Sequence, residues 1–182
     1  MSKNRKIALI AVFAAIIVVL QCIATFISFG SFPITLTLIP IIVAGAIFGK
    51  GIGALMGLVF GIIVALMVVT GADPSGAAML AMRPVTTVSI CLLKGALAGF
   101  VSAFVYELLK DKNDKVAIIA AAATAPIVNT GTLFIALILF FDSSFAVMVS
   151  AFMSINFLIE LLTNVLLAPG LLTLIRRYQD LS

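Results

Sequence analysis

The sequence has no histidine and no tryptophan, and only two cysteines and two tyrosines in 182 residues. Charge is scarce as well. Asp, Glu, Lys and Arg make up 10% of the chain, against about 25% in an average soluble domain. Each shortage excludes something. Without histidine there is no imidazole general base and no His-containing zinc motif. Cys22 and Cys91 lie in separate apolar stretches, so they form neither a disulfide framework nor a metal site. No G-x-S-x-G and no P-loop occurs, and "GKGIG" (49–53) resembles a phosphate loop only superficially. No aspartate falls within an apolar run, which excludes the paired-aspartate chemistry of intramembrane proteolysis. The chain reads as a non-enzyme that needs no cofactor and no metal.

What is abundant is apolar surface, at 64% of residues. A soluble chain of this length could not bury so much, so the solvent is lipid. Lys3, Arg5 and Lys6 followed by an apolar run resemble a signal peptide, with Cys22 as a conceivable lipoprotein site. Gln21 is a poor residue before such a cleavage, and the run reads as a retained first span. Residues 7–49 carry no charge, too long a run for one span and suited to two, broken at "FGSFP" by Gly30, Ser31 and Pro33. The expectation is an all-α integral membrane protein, a single domain over 1–182 with six transmembrane helices. The spans are about 7–29, 33–48, 51–70, 84–107, 116–141 and 145–175. The second is short and carries Pro40. Residues 70–84 read as a loop, 110–115 ("KDKNDK") as a hydrophilic turn and 142–144 as a tight turn. Strands are not expected, because barrel strands alternate polar and apolar residues and these runs do not.

Basic residues orient the chain. Six spans put Lys3, Arg5, Lys6, Lys50, Lys110, Lys112, Lys115, Arg176 and Arg177 on one side and only Arg83 on the other. Cytoplasmic flanks collect Lys and Arg, so both termini are expected in the cytoplasm. The net charge of +4 is this topological signal and does not indicate nucleic-acid binding.

Gly49, Gly53, Gly57 and Gly61 recur every fourth residue. Glycine costs a soluble helix about 1 kcal/mol relative to alanine. In lipid, small residues let helix backbones approach, so the row reads as a packing face. Polar residues inside spans are few. Lys94 lies roughly 15 Å into the fourth span at 1.5 Å per residue. Asn129, Thr130 and Thr132 sit near the middle of the fifth. Asn156, Glu160 and Asn164 share a face of the sixth at i, i+4 and i+8. An intramembrane charge costs about 2.5–3.5 kcal/mol on insertion scales, so Lys94 and Glu160 should face the interior or a wet cavity. Two readings stay open: an internal Lys94–Glu160 tie, or a ligand site. The asparagines are equally open between interhelical glue and ligand contacts.

The stretch "LIPIIVAGAIFGKGIGALMGLVFGII" (38–63) resembles the second and third helices of the S components of energy-coupling factor (ECF) transporters. Ile39–Pro40, Ala44–Gly45 and Gly49 to Gly53 follow that family's order, and "LLKGALAG" (92–99) resembles its fourth helix. The resemblance implies a multi-pass subunit in a prokaryotic cell membrane that binds one vitamin tightly from outside. It also implies partners: a membrane coupling subunit and two cytoplasmic ATPases that drive toppling and release. Ala11 and Ala15 match the Ala-x-x-x-Ala that docks on the coupling subunit in the family. The ligand cavity there lies in the outer half, among helices four to six.

A chain without tryptophan is poorly equipped to stack a flat vitamin such as thiamine, riboflavin or folate. Arg83 and Lys94 suit an anion, and with Asn129, Asn156 and Glu160 they form the expected binding set. A small aliphatic carboxylate with hydroxyl and amide groups fits best, which makes pantothenate the first choice, with biotin, nicotinate and other vitamins behind it. The rival classes are a membrane-structural or assembly protein and a self-contained transporter in which Glu160 carries protons.

Overall fold

The computed structural model describes residues 3–26, 28–29, 32–33 and 36–180. Among them are seven helices: α1 (Lys3–Phe26), α2 (Leu38–Phe48), α3 (Lys50–Thr70), α4 (Pro74–Met82), α5 (Pro84–Leu109), α6 (Asp114–Phe140) and α7 (Ser143–Asp180). Five contain a stretch long and apolar enough to cross a membrane, namely α1, α3, α5, α6 and the Ser154–Tyr178 part of α7.

The departures from the sequence reading have local causes. α2 begins at Leu38 and has 11 residues, about 16 Å of helix, too short to cross a hydrocarbon core of about 30 Å alone. Residues 70–84 are not a plain loop. Asp73 accepts a hydrogen bond from the Gly76 N–H at 3.1 Å, and Pro74 opens the helix with the φ it prefers. This N-cap and first-position proline nucleate the nine residues of α4. Against the expectation of no strands, Ser28–Phe29 and Phe32–Pro33 pair antiparallel, with Phe29 opposite Phe32. Gly30 and Ser31, read as turn residues, lie outside the described residues. α7 runs 38 residues, about 57 Å, longer than a hydrocarbon core of about 30 Å requires.

α3 and α5 form the tightest pairing. A Cβ on Gly53 would stand 2.5 Å from the Gly99 carbonyl oxygen, and one on Gly61 2.5 Å from that of Cys91. A Cβ on Gly57 would collide with the Gly95 carbonyl, and Gly95 and Gly99 face Gly57 and Gly53 in return. The small residues of both helices let the two backbones touch. Gly49 stands outside this row. It is the single residue between α2 and α3, with φ +93°, a conformation that only glycine adopts freely. Gly45 of α2 completes the packing instead, against Ala103 of α5. Glu107 then staples the turn: its carboxylate accepts the Lys50 N–H at 3.1 Å and pairs with the Lys50 ammonium at 3.5 Å.

The apolar core divides in two. The larger cluster joins α1, α2, α3, Cys91 and Tyr106 of α5, the first half of α6 and the last third of α7. The smaller one gathers Met79, Ile90, Leu133, Ala136, Leu137, Phe141, Ala146 and Val149, from α4, the start of α5, the end of α6 and the start of α7.

Candidate functional site

The polar residues of α6 and α7 fall between those two clusters. On α6 the larger cluster ends at Ala125 and the smaller resumes at Leu133; Asn129 and Thr130 occupy the interval. On α7 the smaller cluster ends at Val149 and the larger resumes at Ala168; Asn156, Glu160 and Asn164 lie between them. A polar belt therefore interrupts the apolar clusters on both of these packed helices. Pro126 sits beside it on α6 and is buried. Having no N–H, it withdraws a helical hydrogen bond from the Ala122 carbonyl, an interruption tolerated in membranes where protein or a cavity covers it.

Several acceptors of the belt are unmet. Glu160 is 4% exposed and Asn164 1%, and the Asn164 amide donates to the Glu160 backbone carbonyl at 2.7 Å. The side-chain carbonyl oxygens of Asn129, Asn156 and Asn164 are buried without a hydrogen-bond partner among the described residues. An unmet buried acceptor costs about 1–3 kcal/mol, so three on two packed helices make this stretch the candidate site for a group that donates N–H or O–H. Thr132 is not part of it, because its hydroxyl donates to the Val128 carbonyl at 2.7 Å.

Lys94 lies ten residues into α5, and Asn129 is eleven residues from the far end of α6, about 15 and 17 Å along their helices. These helices pack on each other, which puts both residues at similar depth. The half-buried Lys94 ammonium stands 5.9 Å from the centroid of the Phe60 ring of α3. The ion pairs among the described residues are Lys50–Glu107 and Arg176–Asp114, and Lys94–Glu160 is not one of them. Arg83 is exposed at the junction of α4 and α5, its carbonyl accepting from the Thr87 hydroxyl at 2.8 Å. It lies eleven residues before Lys94, just ahead of the first turn of α5.

The sequence reading did not anticipate a second buried polar node. Thr37 donates to Gln21 at 3.0 Å, and the Gln21 amide reaches the Met67 sulfur at 3.7 Å, joining α1, α2 and α3. Each residue is ordinary by itself. Only their meeting across 16 and 46 positions gives them a role, and no local pattern announces that. The hydroxyl of buried Ser102 is turned back to the Gly99 carbonyl and is satisfied within its own helix.

The sequence model of the family described as "ECF transporter, substrate-specific component" matches residues 5–173. The chain belongs to that family. It is a membrane transport component, not an enzyme. It is also 27% identical to the pantothenic acid transporter PanT of Lactococcus lactis subsp. cremoris (strain MG1363), over all of this chain and 98% of that relative. α1 buries least of its surface among the five apolar spans, and Ala11 and Ala15 are both exposed on it, beside the exposed Val12, Val18 and Val19.

Proposed function

We propose that this S component is the high-affinity vitamin-binding subunit of an ECF-type importer in a prokaryotic cell membrane, and that its substrate is pantothenate. The observation that carries the substrate is the belt itself: three buried acceptor oxygens on α6 and α7, with a cation on α5. Pantothenate has two hydroxyls and one amide N–H to meet the acceptors, and a carboxylate for the lysine. The name of the lactococcal relative supports the same substrate. Lys94 takes the carboxylate, Arg83 draws the anion to the mouth, and Asn129 and Asn156 hold the hydroxyl and amide groups, with Glu160 closing the belt behind them.

The chain forms one membrane domain in which short, tilted α2 makes the second of six crossings and both termini are cytoplasmic. The small-residue face of α1, through Ala11 and Ala15, docks on a membrane coupling subunit that two ATPases serve. To test the substrate, the purified chain is equilibrated with an equimolar vitamin mixture, and what remains bound is identified by mass spectrometry. Pantothenate retained at one per chain is the expected result. Retention of biotin, nicotinate or a flavin in its place would overturn the assignment.

A further inference from the structure

The end of the bundle opposite Arg83 has a feature that vitamin binding does not use. Between the first turns of α6 and the last turns of α7 lies a cavity of about 330 Å³. Its walls are Ile118, Ile119, Pro169 and Leu172, and its rim carries Lys115 and Arg176. The apolar walls belong to spans, and the two cations sit where those spans end. The cavity is therefore apolar at acyl-chain depth and basic at headgroup depth.

We propose that this groove binds an anionic phospholipid of the surrounding leaflet, with its phosphate on Lys115 and Arg176 and an acyl chain along Ile118, Ile119 and Leu172. The charge pattern favours this occupant. Lys115 makes no ion pair among the described residues, and it stands in the first turn of α6, where the helix dipole adds positive potential. Arg176 is oriented toward the rim by Asp114, whose carboxylate it meets at 3.1 Å. The guanidinium has further N–H donors for a phosphate oxygen. Thr173 offers little to a headgroup, since its hydroxyl turns to the Pro169 carbonyl at 3.3 Å. Recognition thus falls to charge, the mode by which basic pockets between membrane helices hold anionic headgroups.

The chain lacks tryptophan, so one reporter can be read without background. Ile119→Trp places an indole at the groove, and Ile138→Trp places one at an exposed position near the far end of α6. Each variant goes into nanodiscs containing phosphatidylglycerol or phosphatidylcholine with brominated chains, and quenching is titrated against lipid fraction. At Ile119→Trp a preference of about tenfold for phosphatidylglycerol is expected; at Ile138→Trp it stays near one. Adding Lys115→Gln with Arg176→Gln should remove the preference, Arg176→Lys should keep it, and Asp114→Asn should raise it. Soluble glycerol phosphate should leave the quenching unchanged. Equal preference at both reporters, or a preference that survives the double glutamine variant, would overturn the proposal. Relief of quenching by glycerol phosphate would assign the rim to a free anion and overturn the lipid. None of these outcomes depends on which vitamin the chain binds.

Discussion

At the scale of single residues, Lys94 is the informative one. Its ammonium lies over the Phe60 ring without a carboxylate partner among the described residues. A cation–π contact is worth about 0.5–1 kcal/mol at exposed sites and somewhat more when desolvated, so Lys94→Met should change folding little. Losing the charge opposite a bound carboxylate is dearer, about 3–5 kcal/mol for a buried pair. Lys94 is only half-buried, so the lower end applies, and binding of an anionic vitamin should weaken about a hundredfold. Arg83→Gln should lower mainly the association rate, and less so in high salt. Isothermal titration with a thermal melt checks both. A large drop in melting temperature for Lys94→Met would mean that the lysine holds the fold. Lys94, Glu160 and the asparagines could be read from the sequence because a polar group in an apolar run stands out alone. The unmet carbonyls of Asn129, Asn156 and Asn164 could not, since satisfaction is a property of neighbours.

At the scale of elements, the α3–α5 contact decides how the bundle is built. Gly57→Ala would drive a methyl into the Gly95 carbonyl, and backbone cannot step aside as a side chain can. Gly51→Ala would meet nothing within 4 Å and would gain helix propensity. Gly57→Ala should therefore lower the thermal midpoint in detergent by several degrees, and Gly51→Ala should leave it equal or slightly higher. The four-residue spacing of glycine in 53–61 made the packing stripe legible in advance. It was silent on Gly49, which fits the same spacing yet serves a left-handed turn, because spacing does not reveal where one helix stops. The signal for α4 was present in Asp73–Pro74 but was outweighed by the density of Gly, Asp and Pro around it. α1 is tested separately. Ala11→Leu with Ala15→Leu adds bulk to exposed positions, so vitamin binding by the isolated chain should persist while uptake in cells falls. Loss of binding as well, in a folded protein, would assign the pair to the bundle interior.

At the scale of the whole molecule, two apolar clusters bracket a polar belt, and a sparsely buried helix lies along one side. Composition alone placed the chain in lipid, and the charge-free runs delimited most of the helices. The arrangement of the belt emerged only from packing, where α6 lies against both α5 and α7. On the proposed reading the belt holds the ligand and α1 meets the partner, and the sequence contains no nucleotide motif to power transport. It follows that the chain should bind alone and transport only in company. The decisive measurement is accumulation of labelled pantothenate in proteoliposomes loaded with ATP in the lumen. The chain is reconstituted either alone or with a coupling subunit and its two ATPases. Accumulation is predicted only in the complete assembly, and only with hydrolysable ATP. Accumulation by the chain alone, driven by a proton gradient, would contradict the account.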